Sequence, residues 1–172
     1  LKRLQWSANS LLPRDIVVIR AEEVDRSFNA RWSAVFREYA YFILNRGYPS
    51  VFQTGTAYFF ARPLNAKAIR AACCYLLGEH DFSAFCSSNP RKNNVRNITE
   101  IDCSREGDLI KIRVKANSFL HNMVRIIAGT LIEVGLGNLE AAAVKEILES
   151  RDRRRAGATA PANGLVLTRI EY

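Results

Sequence analysis

The sequence predicts an α+β domain, a mostly antiparallel sheet with helices packed on one of its faces. Two observations lead there. The two side-chain periods, 2 for strands and 3.6 for helices, follow one another in the order strands, helix, hairpin, two helices, strand. Two β-type runs flank the turn residues Arg105, Glu106, Gly107 and Asp108, which makes them an antiparallel hairpin.

Each element has its own local reason. Pro13 precedes the apolar run Ile16, Val17, Val18, Ile19, which leads into Val24 and reads as a strand. The stretch SAVFREYAYFILNR is rich in aromatic and β-branched residues and reads as a long strand ending near Asn45. RGYPSVFQTG is a loop by its Gly, Pro and Ser. In NAKAIRAACCYLLGEHDF, Asn65 is placed to cap a helix, Ile69, Ala72, Cys73 and Leu76 keep helical spacing, and Gly78 closes it. The hairpin strands cover 95–103 and 109–116; in the second, Leu109, Lys111, Arg113 and Lys115 alternate with Ile110, Ile112, Val114 and Ala116. A helix follows over 118–135, then a shorter one over 139–150 capped by Asn138. RDRRRAGATAPANG is a loop, and LVLTRIEY a last strand.

The chain has 172 residues, 48% of them hydrophobic, which is enough for a core. Lys and Arg number 25 against 17 acidic residues, a formal charge of +8 that favours anionic partners such as nucleic acid. Cys73, Cys74, Cys86 and Cys103 form no C-x-x-C pair, and His80 and His121 add no ligand spacing, so a zinc site and a disulfide framework are not expected. No apolar run reaches membrane-spanning length without a charge. Buried, reduced cysteines fit a cytoplasmic protein.

Three places could carry chemistry. In the helix over 118–135, Leu120, Met123, Val124, Ile127, Leu131 and Val134 form the core stripe, while His121 and Arg125, four apart, stack on another face with Ala128 and Gly129 one turn on. A guanidinium among Val124, Ile126 and Ile127 either snorkels to solvent or meets a carboxylate or phosphate. The small residues beyond it leave room for a second backbone or a ligand. In the long strand, Arg37, Tyr39 and Tyr41 share one face; they either stack on a base and hold a phosphate, or form the rim of a half-buried strand. Arg151, Arg153, Arg154 and Arg155 are either a solvated helix end or a grip on phosphates.

Five stretches together resemble the TruA-type tRNA pseudouridine synthases. NSLLPRDI is similar to the family's N-x-x-L-P-x-D-I, FNARWSAVFREYAY to its F-x-A-R-(F/W)-x-A…R-x-Y-x-Y, and GEHDFSAF to its G-x-(H/N)-D-F-x-x-F. FLHNMVRIIAGTLIEVG resembles its F-x-x-x-M-V-R-x-(I/V)-x-G-x-L-x-x-V-G helix, and RDRRRAGATAPANGLVL its D-R…A-x-x-T-A-P-A-x-G-L-x-L. The blocks keep family order and span nearly the whole chain. The resemblance implies a pseudouridine synthase-like sheet, half of which is RRM- or ferredoxin-like. It implies a reaction that breaks the N-glycosidic bond of uridines at positions 38–40 of the tRNA anticodon stem-loop, turns the base and rejoins it through carbon. No metal or organic cofactor is implied, and the partners are tRNA and a second copy in a homodimer.

The resemblance also assigns residues. Tyr39 corresponds to the tyrosine that packs on the target base, and Arg125 to the arginine that pairs with the catalytic aspartate. Leu165 corresponds to the apolar residue closing the pocket, and Arg31 lies near the site. Arg37, His121, Arg151 and Arg153 are candidate RNA contacts. The family's nucleophile lies in an Arg-Thr-Asp-x-Gly stretch, and none of the six aspartates, Asp15, Asp25, Asp81, Asp102, Asp108 and Asp152, has that context. With Leu at position 1, the expectation is the carboxyl-terminal portion of the enzyme, inactive alone: 1–24 a remnant of the inter-domain segment and first strand, 25–172 the carboxyl-terminal synthase domain. The alternatives are an RNA-binding module without catalysis, or a structural domain.

Overall fold

The computed structural model describes residues 1–87 and 93–172. The chain forms two compact units, Leu1–Ser33 and Ala34–Tyr172.

The first unit opens with helix α1 (Lys2–Leu11), which buries no residue and has no side-chain cap at its start, so neither usual helix signal marks it in the sequence. The strand expected around 16–19 does not form. Within this unit the extended backbone there has no ladder partner, and side-chain amides from α1 take that place. Val18 N donates to Asn9 Oδ1 at 2.7 Å and Asn9 Nδ2 returns a bond to Val18 O at 2.9 Å. Gln5 Nε2 donates to the carbonyls of Val18 and Ile19. Backbone polar groups are satisfied by amide side chains instead of a neighbouring strand.

The second unit is the expected α+β architecture. Strands β1 (Phe36–Leu44), β2 (Tyr58–Phe59), β3 (Gly78–Asp81), β4 (Val95–Glu106), β5 (Leu109–Ala116) and β6 (Leu165–Glu171) form one sheet in the order β2-β1-β5-β4-β3, with β6 also paired to β1. Every pairing is antiparallel except the short β1–β2 contact. The alternation read in β5 holds: Ile110, Ile112, Val114 and Ala116 are fully buried, and the residues between them are half-buried on the other face. In β4 the buried positions run Ile98, Ile101, Cys103, because a bulge between Ile98 and Glu100 inserts one residue and resets the alternation.

Helices α2 (Ala66–Cys73), α3 (Met123–Gly135) and α4 (Ala143–Ser150) supply the apolar residues that join the buried strand residues in one core. Asn65 caps α2 as expected, its Oδ1 accepting from the backbone of Lys67 and Ala68. Three boundaries differ from expectation. The helix at 65–82 ends early, tightens into a 3-10 turn at Cys74–Leu76, and Gly78, at φ +97, opens β3 instead of merely closing a helix. Asn138 does not cap α4; its Nδ2 donates to Glu133 Oε2, and α4 starts at Ala143. The helix expected from 118 starts at Met123, because Asn122 stands in the left-handed region at φ 60 and turns the chain.

Candidate active site

Arg125 reaches its position through the packing of α3. The stripe Leu120, Met123, Val124, Ile127, Leu131 and Val134 is buried, and Arg125 lies half-buried beside it. One turn on, Ala128 and Gly129 are also buried, and a second backbone does cross there. A Cβ on Gly129 would lie 1.8 Å from the carbonyl oxygen of Ala158, and one on Gly157 would lie 2.7 Å from Thr130 N. The crossing loop, 156–161, is laced to the helix: Gly157 N donates to Thr130 Oγ1 at 2.9 Å, and Ala160 N to Arg125 O at 3.1 Å. Arg125 returns the contact, Nε donating to Ala160 O at 2.7 Å, while a terminal nitrogen donates to Asn122 Oδ1 at 3.1 Å. Both acceptors are neutral oxygens.

The loop is also tied to the sheet. Tyr41 is fully buried, and its hydroxyl donates to Pro161 O at 2.7 Å. Burial pushes that hydroxyl's pKa well above its ordinary value, Tyr58 adding to the rise and Arg125 opposing it, so the group stays a neutral donor. Gly164 presses against the Tyr41 ring and Phe42 O, where a Cβ would come within 2.8 Å of both. That close approach brings Leu165 opposite Tyr41 in the β1–β6 register, and Tyr39 lies opposite Leu167 after a bulge at Glu38 and Tyr39. Tyr39 and Leu165 are both partly buried against the core, and the Tyr39 ring meets Phe119 edge-on with centroids 5.1 Å apart.

The tyrosine face of β1 is half-buried: Tyr41 and Ile43 are core residues, and its partly buried end is Tyr39. The opposite face carries Glu38, with Arg113 bonded to Glu38 and Glu100, and Lys115 to Glu171. Although burial alone would push the Glu38 carboxyl up, hydrogen bonds from Thr168 and Arg113 bring it net below its usual value. A depression of about 180 Å³ lined by Phe42, Gln53, Thr56, Ala57, Leu109 and Val166 contains none of the candidate residues. The loop 156–161 is bonded both to Arg125 and, through Pro161, to Tyr41 of β1.

The remaining candidates are dispersed. Arg31 belongs to the first unit, where its guanidinium lies 5.1 Å from the Trp32 ring centre. Arg37 donates to Asn117 O at 2.8 Å, bracing the end of β1. His121 does not stack with Arg125 on α3, because it precedes the helix in the turn made by Asn122; its Nδ1 pairs with Ser87 Oγ at 2.8 Å. Arg151, exposed at φ 54 after α4, pairs with Asp81 at 3.3 Å. Arg153 donates to Ala156 O and Thr159 Oγ1, holding the loop that crosses α3. The sequence reading missed Asn122 and Ser87; the only signal was an Asn, a residue tolerant of positive φ, just before the helix. Burial pushes the Cys73 thiol up to about 12 and the Cys103 thiol to about 11, neighbouring Asp102 adding to both, which disfavours the thiolate.

No carboxylate lies within ion-pair distance of Arg125 among the described residues. Each aspartate of the second unit has another partner: Asp81 with Arg151, Asp102 with Arg70, Asp108 with Arg46 and Asp152 with Arg154. Asp152 is held at about 2 by the Arg154 side chain and backbone N–H.

Comparison with known proteins matches residues 72–172 to the family described as tRNA pseudouridine synthase. The tRNA pseudouridine synthase A of Acetivibrio thermocellus is 43% identical over 171 residues, covering 99% of this chain and 70% of that protein. The Bacillus subtilis protein of the same name is 43% identical, with the same two coverages. That of Bacillus velezensis is 45% identical over 97% of this chain and 68% of its own length. With more than half of the chain matched by the family and relatives above 40% identical along nearly its whole length, the chain belongs to the tRNA pseudouridine synthase family.

Proposed function

We propose that Arg125, Tyr39 and Leu165 form one side of the uridine site of a tRNA pseudouridine synthase acting on positions 38–40 of the anticodon stem-loop. In this reading the aspartate nucleophile comes from outside these 172 residues, and the chain alone is inactive. One observation carries the reading. Arg125 is half-buried on an apolar helix, yet its two bonds go to neutral oxygens and no carboxylate accompanies it among the described residues. A guanidinium has five N–H donors, so three remain for a carboxylate fork. Opposite charge nearby would keep the aspartate ionised and aimed, as a nucleophile requires. Tyr39 offers its ring to the uracil and Leu165 excludes water beside it. Arg31, Arg37, His121, Arg151 and Arg153 serve as RNA contacts. The enzyme works as a cytoplasmic homodimer without metal or cofactor.

The test uses the complete enzyme containing this chain and measures pseudouridine formed in an anticodon stem-loop. Arg125→Lys keeps the charge but loses the planar fork. The expected result is a kcat lowered on the order of a hundredfold, with tRNA affinity changed by less than about threefold. Wild-type kcat in Arg125→Lys and Arg125→Ala, or turnover by the 172-residue chain alone, would overturn the proposal.

A further inference from the structure

Asn122 is the place where the second unit departs most from local preference around the candidate site. Of the described non-glycine residues, it and Arg151 alone have positive φ. A residue at the start of a helix ordinarily takes an extended conformation and turns its side-chain oxygen to the helix's first free N–H groups. Asn122 does neither: it is left-handed, and its side chain makes no cap bond. Its amide lies between two side chains instead. Oδ1 accepts from Arg125 at 3.1 Å, and Nδ2 donates to Ser87 Oγ at 2.9 Å. The amide orientation follows from chemistry, since a guanidinium only donates and must face the oxygen.

The chain of bonds continues behind it. Ser87 Oγ pairs with His121 Nδ1 at 2.8 Å, and Ser87 N donates to His121 O at 3.3 Å, so the hydroxyl is held by both its own backbone and the preceding turn. On the other side, Arg125 Nε is fixed by Ala160 O. The guanidinium is therefore clamped at two points, the loop carbonyl at Nε and the Asn122 amide at a terminal nitrogen. Two bonds from different nitrogens restrain the plane of the guanidinium. Without the amide, one bond remains and the group can rotate about its last side-chain torsions.

We propose that Asn122 is a positioning residue for pseudouridine formation, its amide fixing the plane of the Arg125 guanidinium and Ser87 fixing the amide. The inference rests on the reading that Arg125 serves the reaction. The left-handed turn at Asn122 coincides with an amide bonded to both Ser87 and Arg125.

The experiment separates side chain from backbone in the complete enzyme. Asn122→Gly keeps the left-handed conformation at no steric cost and removes the amide. The expected outcome is a Tm equal to or above wild type, tRNA affinity within about threefold, and kcat lowered on the order of tenfold or more. Ser87→Ala lowers kcat less, in the same direction. In an Arg125→Ala background, Asn122→Gly lowers kcat no further, because the group it aims is gone. Wild-type kcat in Asn122→Gly, or losses that multiply fully with Arg125→Ala, overturns the inference. Wild-type kcat in Arg125→Ala alone instead overturns the reading beneath it, so the two failures are distinct.

Discussion

At the scale of single residues, the candidate site depends as much on what is missing at Gly129 as on what is present at Arg125. The loop 156–161 lies so close to α3 that the carbonyl of Ala158 occupies the space a Cβ would need. Gly129→Ala therefore places a methyl group against backbone on both sides, and neither backbone can swing aside as a side chain would. The expected cost is about 3 kcal/mol or more, at the upper end for overpacking, read as a lowered midpoint in urea unfolding with an unchanged slope. The glycine itself was legible from sequence as room for a second backbone beside the arginine. The identity of that backbone was not, since Ala160 and Arg125 are 35 residues apart and nothing local announces their pairing. The same holds for Asn122, whose placement depends on a serine 35 positions before it.

At the scale of elements, the sheet's two faces divide their tasks. Core and candidate site lie on the helix side, and the opposite face is organised by charge around β1, β5 and β6. Glu38 links these strands: Arg113 of β5 and Thr168 of β6 both donate to its carboxylate. Its pKa in the folded protein is depressed, so the carboxylate contributes stability above its ordinary value near 4.5, and that contribution is lost as pH falls through the lower folded value. Wild type is expected to have a higher Tm than Glu38→Gln at pH 7, with the difference shrinking as pH falls through the lowered folded value. A difference that grows on acidification would assign the effect to something other than the carboxylate. Strand alternation in β5 and the Asn65 cap were readable because they use short-range periods. The bulges in β4 and β6 were not, because a bulge is set by the partner strand. The extended run at 16–19 misled for a related reason: its apolar residues resemble a strand, but its backbone is served by amides from α1.

At the scale of the whole molecule, the charge of +8 has a measurable consequence for tRNA binding. Many of the arginines considered as RNA contacts already have protein partners: Arg153 supports the loop, Arg151 pairs with Asp81, and Arg37 braces β1. Affinity for tRNA should then come from a general field joined by few direct phosphate contacts. The logarithm of the association constant is expected to fall linearly with the logarithm of salt concentration, each contact adding about 0.7 to 0.9 to the slope. Single substitutions of Arg151 or Arg153 should change that slope by less than about one. A loss of several contacts from one substitution would show a localised grip in place of the field. The α+β class was legible from the order of strand and helix periods, and the family from five motif blocks in order. The division after Ser33 was not, because no change of composition marks it.

The bond from Tyr41 to Pro161 spans 120 positions, and during synthesis that span is also a delay. At about 5 to 20 residues per second, the ribosome needs roughly 6 to 24 s after making the tyrosine before it makes the proline. Over that interval the hydroxyl must remain wet or borrow a temporary acceptor, and Arg125, made 35 residues before Ala160, waits about 2 to 7 s for its loop carbonyl. The first strand is thus made early, whereas α3 and the loop that holds the Arg125 side chain are made late and close together.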